Sequence, residues 1–190
     1  QRVRVSIEID STPPGRIKGG DPMTFQVNGQ TESLIVISPQ LRTGRPWTAA
    51  DVIGILDDAI AKGYRIDQNR VYLTGFSLGG QGVWDVLMQA ENSPNRFAAA
   101  APVHGRSEQK HLHNIIAERN IAIWCLTSLH DNTVHRAWDV LAAMRTLRDA
   151  YPTAEVRFTM FEESNYYHSC EKEYRTDNSI FAQENLYQWM

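Results

Sequence analysis

Residues 71–84 read VYLTGFSLGGQGVW, and the class of fold can be inferred from them. Val71 to Thr74 form a short apolar run that predicts a strand, and Leu78 to Gln89 show the apolar spacing of a helix. Between them lies the pattern G-x-S-x-G, centred on Ser77. This pattern is typical of a sharp turn that lifts a serine hydroxyl above the carboxyl edge of a parallel sheet. Glycines flank the serine because such a turn crowds the backbone.

The chain from residue 34 onward repeats this alternation of strand and helix patterns. A capping box formed by Thr48 and Asp51 marks the start of the first helix. The alternation predicts a mostly parallel central sheet with helices on both faces, in a single α/β domain spanning residues 1–190. The predicted strands are 34–38, 71–74, 97–103, 121–127 and 155–161, and the predicted helices are 48–62, 78–89, 109–118, 136–150 and 179–190.

The first 33 residues depart from the pattern. Polar and apolar side chains alternate from Arg2 to Ile9, which predicts a strand with one solvent-facing side, at the edge of the sheet. Residues 11–20 are rich in proline and glycine and predict a loop. We therefore expect residues 1–33 to be an atypical segment with incomplete N-terminal strands, and residues to be missing upstream of Gln1 or near Asp10–Pro14.

The composition excludes several classes of function. The 190 residues are 42% hydrophobic and 22% charged, with a net charge of -3, which is ordinary globular usage. No basic block is present, so no nucleic-acid partner is expected, and the apolar runs are too short for a membrane span. Cys125 and Cys170 can form at most one disulfide and fit no zinc motif. The oligomeric state and the cellular compartment stay open.

A serine nucleophile needs a general base and an acid that orients the base, and in this type of sheet the chain order is serine, acid, histidine. His168 is the only histidine after the last predicted strand, so we expect it to be the base. The other histidines are expected to be surface or structural residues, namely His104, His111, His113, His130 and His135.

The acid is expected in the loop after the preceding strand, where Asp131 lies. Asp139 is a rival, but it falls inside the next predicted helix. His130 has no second ligand at helical or turn spacing, so no metal site is expected. A helix N-terminus follows Ser77 and favours developing negative charge, which makes the backbone N–H of Leu78 the expected oxyanion donor.

Six sequence blocks carry a resemblance to a known family, and one of them, residues 121–134, is similar to the strand and loop that carry the acid in that family. VYLTGFSLGGQGVWDVL (71–87) and RFAAAAPVHG (96–105) resemble the α/β-hydrolase serine esterases of the phospholipase/carboxylesterase and polyhydroxybutyrate-depolymerase-like group, including feruloyl-esterase-like members. LIVISPQL (34–41) is similar to the strand before that group's Pro-Gln, and LYQWM (186–190) is similar to its final helix. NYYH (165–168) stands where the group has Gly-His. The resemblance covers residues 22–190.

The resemblance implies an α/β-hydrolase that cleaves carboxylic esters through an acyl-enzyme and needs no cofactor. It makes Ser77 the nucleophile, His168 the general base and then acid, Asp131 the residue that orients His168, and Leu78 a backbone oxyanion donor. Members of the group act on esters of small acyl groups, on polyester oligomers and on plant-wall feruloyl and acetyl esters. The implied partner is therefore a small-molecule or oligomeric ester, and a secreted or periplasmic location is favoured by resemblance alone.

Two departures keep other functions open. Tyr167 stands where the group has glycine, and no His-Gly-rich oxyanion loop with its buried strand precedes residue 22. The second oxyanion donor is therefore unassigned. A peptidase of the same fold remains an alternative, as does a non-catalytic esterase-like binding module with an incomplete oxyanion hole. Trp47 and Trp84 are aromatic candidates for the acyl pocket, although core packing is the favoured role of Trp84.

Overall fold

A computed structural model describes residues 3–9, 23–27, 29–41, 45–89, 95–106, 114–134, 137–170, 172–174, 180–181 and 184–190. Within these ranges the chain forms seven strands and five helices. The strands are β1 (Val3–Ile9), β2 (Met23–Val27), β3 (Gln30–Ile37), β4 (Ile66–Phe76), β5 (Ala99–Val103), β6 (Ala122–Ser128) and β7 (Val156–Phe161). The helices are α1 (Ala49–Ala61), α2 (Leu78–Met88), α3 (Asn114–Glu118), α4 (Ala137–Ala150) and α5 (Leu186–Trp189).

All seven of these strands belong to one sheet, in the order β2-β3-β1-β4-β5-β6-β7. Each pair of neighbours from β3 to β7 is parallel, and β2 is antiparallel to β3 at one edge. The mostly parallel sheet predicted from the alternation of strands and helices is therefore confirmed. Since β4 to β7 are consecutive both in the chain and in the sheet, their carboxyl ends lie side by side.

The position of β1 corrects the expectation of an edge strand. β1 lies in the interior of the sheet, between β3 and β4 and parallel to both. Ser6 and Ile7 are both buried, at 1% and 0% exposure, because a small hydroxyl can be covered where a charged group could not. The alternation of polar and apolar residues in β1 therefore does not indicate that one side of this strand faces solvent. The predicted loop and the expected junction near Asp10–Pro14 lie outside the described residues.

Successive residues of the central strands supply two separate hydrophobic layers, because side chains alternate between the faces of a sheet. Helices α1 to α4 cover one face, and their apolar side chains join Val71, Leu73 and Ile123 in one core cluster. The other face packs Tyr72 and Trp124 against α5 and residues near it. Both faces are thus covered, as a sheet with parallel central strands requires. Trp47 and Trp84 are buried in the first cluster, which gives both a role in the core.

The ends of the helices follow local hydrogen bonds. The Thr48 hydroxyl accepts the backbone N–H of Asp51 at 3.2 Å, and the Asp51 carboxylate accepts the N–H of Thr48 at 3.1 Å, which is the predicted capping box. Asn185 and Gln188 form a second box, so α5 begins much later than residue 179. The observed α3 is also short, and residues 109–113 of its predicted span lie outside the described residues.

Two other expectations concern the sequence as a whole. No helix in the described part of the chain is long and apolar enough to cross a membrane. Cys125 and Cys170 are both buried in the structure, and no disulfide joins the two thiols. Burial raises the pKa of the Cys125 thiol, so this group remains protonated in the core.

A close backbone contact holds α2 against the chain that leaves β5. A Cβ atom added to Gly80 would lie 2.8 Å from the backbone nitrogen of Gly105, and one added to Gly105 would lie 2.5 Å from the backbone nitrogen of Gln81. These distances are too short for any side chain, so both positions require glycine. The N-terminal turn of α2 is therefore fixed directly against the carboxyl end of β5.

We predict that Gly80→Ala lowers the free energy of unfolding by about 1–3 kcal/mol, because the methyl group overpacks a backbone contact. Gly54 provides a matched control, since it lies in α1 with nothing within 4 Å of an added Cβ. Gly54→Ala should instead raise the stability by about 0.5–1 kcal/mol, through helix propensity. Urea unfolding of both variants measures the difference, and equal effects would contradict the packing described here.

Candidate active site

Four neighbouring strands each place one polar side chain at the same edge of the sheet. Ser77 follows β4, His104 follows β5, Asp131 lies in the loop after β6, and His168 lies in the loop after β7. The carboxyl ends of parallel strands meet at one edge, where sites in α/β sheets form. Residues up to 91 positions apart in the chain therefore come into contact.

Ser77 is held in a backbone conformation that favours glycine. Its φ is 57° and its ψ is -116°, a combination that costs a residue with a Cβ atom on the order of 1–3 kcal/mol. Its backbone N–H donates to the carbonyl of Val103 at 2.9 Å. Ser77 occupies the N-cap position of α2, but its side chain makes no capping hydrogen bond. The hydroxyl instead lies 2.7 Å from Nε2 of His168.

The predicted base and acid lie together beside Ser77. Nδ1 of His168 is 2.8 Å from Oδ2 of Asp131. The other carboxylate oxygen of Asp131 accepts the backbone N–H groups of Thr133 and Val134, each at 2.8 Å. The structure therefore brings together all three side chains that the sequence singled out. The rival acid, Asp139, lies in the first turn of α4.

The Asp131 carboxyl group is buried, with 5% of the residue exposed. Burial by itself would raise the pKa of this carboxyl, but hydrogen bonds from His104, His168 and two backbone N–H groups hold the pKa well below its ordinary value. Asp131 is therefore ionised at neutral pH. A fixed anion at Nδ1 of His168 keeps a proton on that nitrogen and leaves Nε2 to face the Ser77 hydroxyl.

Leu78 is the first residue of α2, so its backbone N–H lies at a helix N-terminus. The N–H groups of a first helical turn have no partner within the helix and carry partial positive charge. Ile9 is paired with Gly75, so β1 ends beside the turn that carries Ser77. Residues 10–22, which follow β1 and precede β2, lie outside the described residues.

His104 is the site residue whose position the sequence did not predict. The sequence predicts a surface or structural role for His104, and in the structure it is 1% exposed, with its Nδ1 2.8 Å from the same Asp131 oxygen that His168 contacts. Its Nε2 lies 2.9 Å from Oε1 of Glu173. One signal was available, because His104 directly follows a predicted strand and so had to lie at the same sheet edge as Ser77.

Tyr166 anchors the loop that carries His168. Its hydroxyl donates to Oε2 of Glu173 at 2.5 Å, and its backbone carbonyl accepts the hydroxyl of Ser128 at the end of β6. Burial and the neighbouring Glu173 raise the pKa of the Tyr166 hydroxyl, so it remains a donor. Tyr166 is buried, whereas Tyr167, in the position where glycine was expected, is 50% exposed.

The remaining histidines do not extend the site within the described chain. The backbone N–H of His130 donates to the Ser128 hydroxyl at 3.2 Å. His111, His113 and His135 lie outside the described residues. His104, Asp131 and His168 place one possible metal-binding atom each within 4.8 Å of one another. The 2.8 Å separations between nitrogen and oxygen in this group are those of hydrogen bonds.

Comparison with known sequences gives one partial relative. No protein-family model matches the chain. The chain is 35% identical over 89 residues to the bifunctional acetylxylan esterase/xylanase of Neocallimastix patriciarum. The match covers 43% of this chain and 12% of that protein. The chain therefore spans only a small part of this relative.

Comparison with solved structures identifies the fold. A thermostable esterase has a TM-score of 0.64 at 21% identity, over 87% of this chain and 48% of its own. The acylaminoacyl peptidase of Pyrococcus horikoshii has a TM-score of 0.57 at 14% identity, over 90% of this chain and 34% of its own. The chain has the α/β-hydrolase fold, and the predicted resemblance to esterases of that fold is confirmed.

The strained backbone of Ser77 predicts a gain in stability on substitution by glycine. Ser77→Gly should be about 1 kcal/mol more stable than Ser77→Ala, because both lose the hydroxyl but only glycine relieves the positive φ. Thermal and urea unfolding of the two variants measures the difference. A glycine variant no more stable than the alanine variant would show that the turn is not strained.

Proposed function

We propose that the chain is a serine hydrolase that cleaves carboxylic esters through an acyl-enzyme. One observation carries the proposal: the Ser77 hydroxyl lies 2.7 Å from Nε2 of His168, whose Nδ1 lies 2.8 Å from a buried Asp131 carboxylate. A nucleophile, a base within hydrogen-bond reach and an acid that orients the base are the parts that nucleophilic acyl transfer needs. The strained turn adds a hydroxyl directed toward the histidine.

In the first half of the reaction, Oγ of Ser77 attacks the carbonyl carbon of the ester, and Nε2 of His168 takes the hydroxyl proton. The imidazolium that forms keeps its hydrogen bond to Asp131, whose ionised carboxylate stabilises the new positive charge. The backbone N–H of Leu78, at the start of α2, donates to the oxyanion of the tetrahedral intermediate. Nε2 then returns the proton to the departing alcohol oxygen as its bond to the carbonyl carbon breaks.

In the second half, water replaces the alcohol. Nε2 of His168 takes a proton from the water as its oxygen attacks the carbonyl carbon of the acyl-Ser77 ester. The second tetrahedral intermediate collapses, the bond to Oγ of Ser77 breaks, and the proton passes from Nε2 to that oxygen. The products are a carboxylic acid and the free enzyme, and the chain's own residues supply every proton transfer.

The proposed substrate is an ester with a small acyl group, and acetyl is the first candidate. The support is the name of the partial relative, an acetylxylan esterase/xylanase that is 35% identical over 89 residues. Leu78 and Tyr167, which are next to Ser77 and His168 in the chain, have large and exposed side chains. An oligomeric ester that carries such an acyl group is part of the same proposal.

Ser77→Ala should lower kcat/KM for p-nitrophenyl acetate by at least about a thousandfold, because the nucleophile is removed while the fold is kept. The matched control is Ser33→Ala, since Ser33 is exposed in the middle of β3, and this variant should retain the activity of the unchanged chain. Initial rates with acetyl, butyryl, feruloyl and hydroxybutyrate esters measure activity and acyl preference together.

Amide substrates separate the alternatives. Hydrolysis of p-nitroanilides without hydrolysis of esters would replace the proposal with a peptidase of the same fold. Ligand binding without hydrolysis of either class, unchanged by Ser77→Ala, would replace it with a non-catalytic binding module.

A further inference from the structure

Two histidines share one oxygen of the Asp131 carboxylate. Nδ1 of His168 and Nδ1 of His104 each lie 2.8 Å from Oδ2, and the two rings are 5.5 Å apart at an interplanar angle of 89°. The mechanism above uses His168 only. His104 nevertheless lies deeper, with a fully buried side chain, so its contact with Asp131 is shielded from water.

The contact made by Nε2, the second ring nitrogen of His104, bears on the charge of the imidazole. Nε2 lies 2.9 Å from Oε1 of Glu173, whose side chain is also fully buried. Ionised carboxylates only accept hydrogen bonds, and an imidazolium can donate one hydrogen bond from each of its two nitrogens to the two carboxyl groups that face it. The other oxygen of Glu173 already accepts the Tyr166 hydroxyl at 2.5 Å. An imidazolium at His104 satisfies all of these contacts at once.

The surroundings of His104 favour the charged form. Burial alone would lower the pKa of its imidazole, but hydrogen bonds to Asp131 and Glu173 raise the pKa above its ordinary value. Among the described residues, the groups that face it are Asp131 after β6, Glu173, the rings of Tyr166 and His168 after β7, and the ring of Phe76 at the end of β4. The facing anions are the two carboxylates, which supply the pairing that a buried cation requires.

The segment that carries Glu173 is itself fixed to the sheet. The hydroxyl of Tyr174 lies 2.7 Å from Oγ1 of Thr74 in β4, and the Thr74 hydroxyl in turn donates to the carbonyl of Ala101 in β5 at 2.8 Å. Glu173 therefore approaches His104 from an anchored position. Tyr166, two residues before His168, donates to the same Glu173. The hydrogen-bond network of His104 therefore also includes the loop that holds the proposed base.

We propose that His104 is a buried imidazolium, held between Asp131 and Glu173, that positions Asp131 and places a positive charge beside the ring of His168. The inference rests on the proposed function, in which His168 is the base. His104 is a positioning residue, because it acts through the carboxylate. It orients Oδ2 toward His168, and its positive charge 5.5 Å from that ring disfavours a second cation there. We therefore expect the catalytic activity to extend to lower pH than it would without this charge.

The pH dependence of kcat/KM for p-nitrophenyl acetate tests this role. His104→Asn keeps a donor toward Asp131 but removes the charge, so the acidic midpoint of the profile should move up by about one unit. The loss of activity should reach about tenfold on the acidic side and shrink toward alkaline pH. A loss that is uniform across pH, with an unmoved midpoint, would show that His104 is only structural.

A double variant distinguishes the loss of the His104 charge from the loss of stability that His104→Asn is expected to cause. His104→Asn leaves the Glu173 carboxylate buried without its cation, which should lower the melting temperature. Adding Glu173→Gln removes that anion and should restore the melting temperature, while the acidic midpoint stays above that of the unchanged enzyme. If the double variant regains the original midpoint together with its stability, the proposed electrostatic role is wrong.

Nuclear magnetic resonance of the ring nitrogens gives a readout that needs no activity. In the Ser77→Ala protein at neutral pH, both nitrogens of His104 should carry protons, and a single neutral tautomer would overturn the inference even if His104→Asn fails to fold. An active unchanged enzyme with a neutral His104 overturns this inference alone. An inactive chain with an imidazolium at His104 overturns the proposed function alone.

Discussion

The backbone contact between Gly80 and Gly105 is the constraint on which the site depends. No side chain fits at either position, so the first turn of α2 must lie against the chain leaving β5. Ser77 lies just before this contact on one side, and His104 lies directly before it on the other. Both residues have positive φ angles, 57° and 49°. Backbone packing therefore fixes the two turns relative to each other, and this does not depend on contacts between the side chains of the site.

The remaining parts of the site follow from the order of the sheet. Since β6 and β7 continue beside β5, their loops bring Asp131 and His168 to the same edge. The buried Asp131 carboxylate then connects the two histidines, and Glu173 balances the inner one. The charges alternate from Glu173 through His104 to Asp131, which is how a group of ionised residues becomes tolerable at low exposure. Burial opposes both pKa shifts, but the hydrogen bonds outweigh it, so the pKa of Asp131 falls and the pKa of His104 rises.

The sequence predicts those parts of the molecule that depend on interactions between residues close together in the chain. The turn at Ser77 follows from glycine spacing between a strand and a helix, and the start of α1 follows from the Thr48 and Asp51 pair. Asp131 and His168 could be selected because the order of parallel strands limits which loops reach Ser77. The interior position of β1 could not be inferred in this way, because the alternation around Ser6 resembles that of an edge strand until its neighbours are known.

The network around His104 lay beyond sequence reasoning for a related reason. Its contact with Glu173 joins residues 69 positions apart, and no periodic pattern or motif marks the segment that carries Glu173. A histidine following a strand is also common in structural roles. Only the tertiary arrangement shows that both of its nitrogens face carboxylates.

The central claim is that this arrangement makes the Ser77 hydroxyl a nucleophile. The most direct measurement is reaction of the folded chain with a fluorophosphonate, followed by peptide mapping of the adduct by mass spectrometry. We expect one phosphonyl group per chain, located on Ser77, and loss of labelling when the protein is first unfolded. Absence of an adduct, or an adduct on another residue, would contradict it.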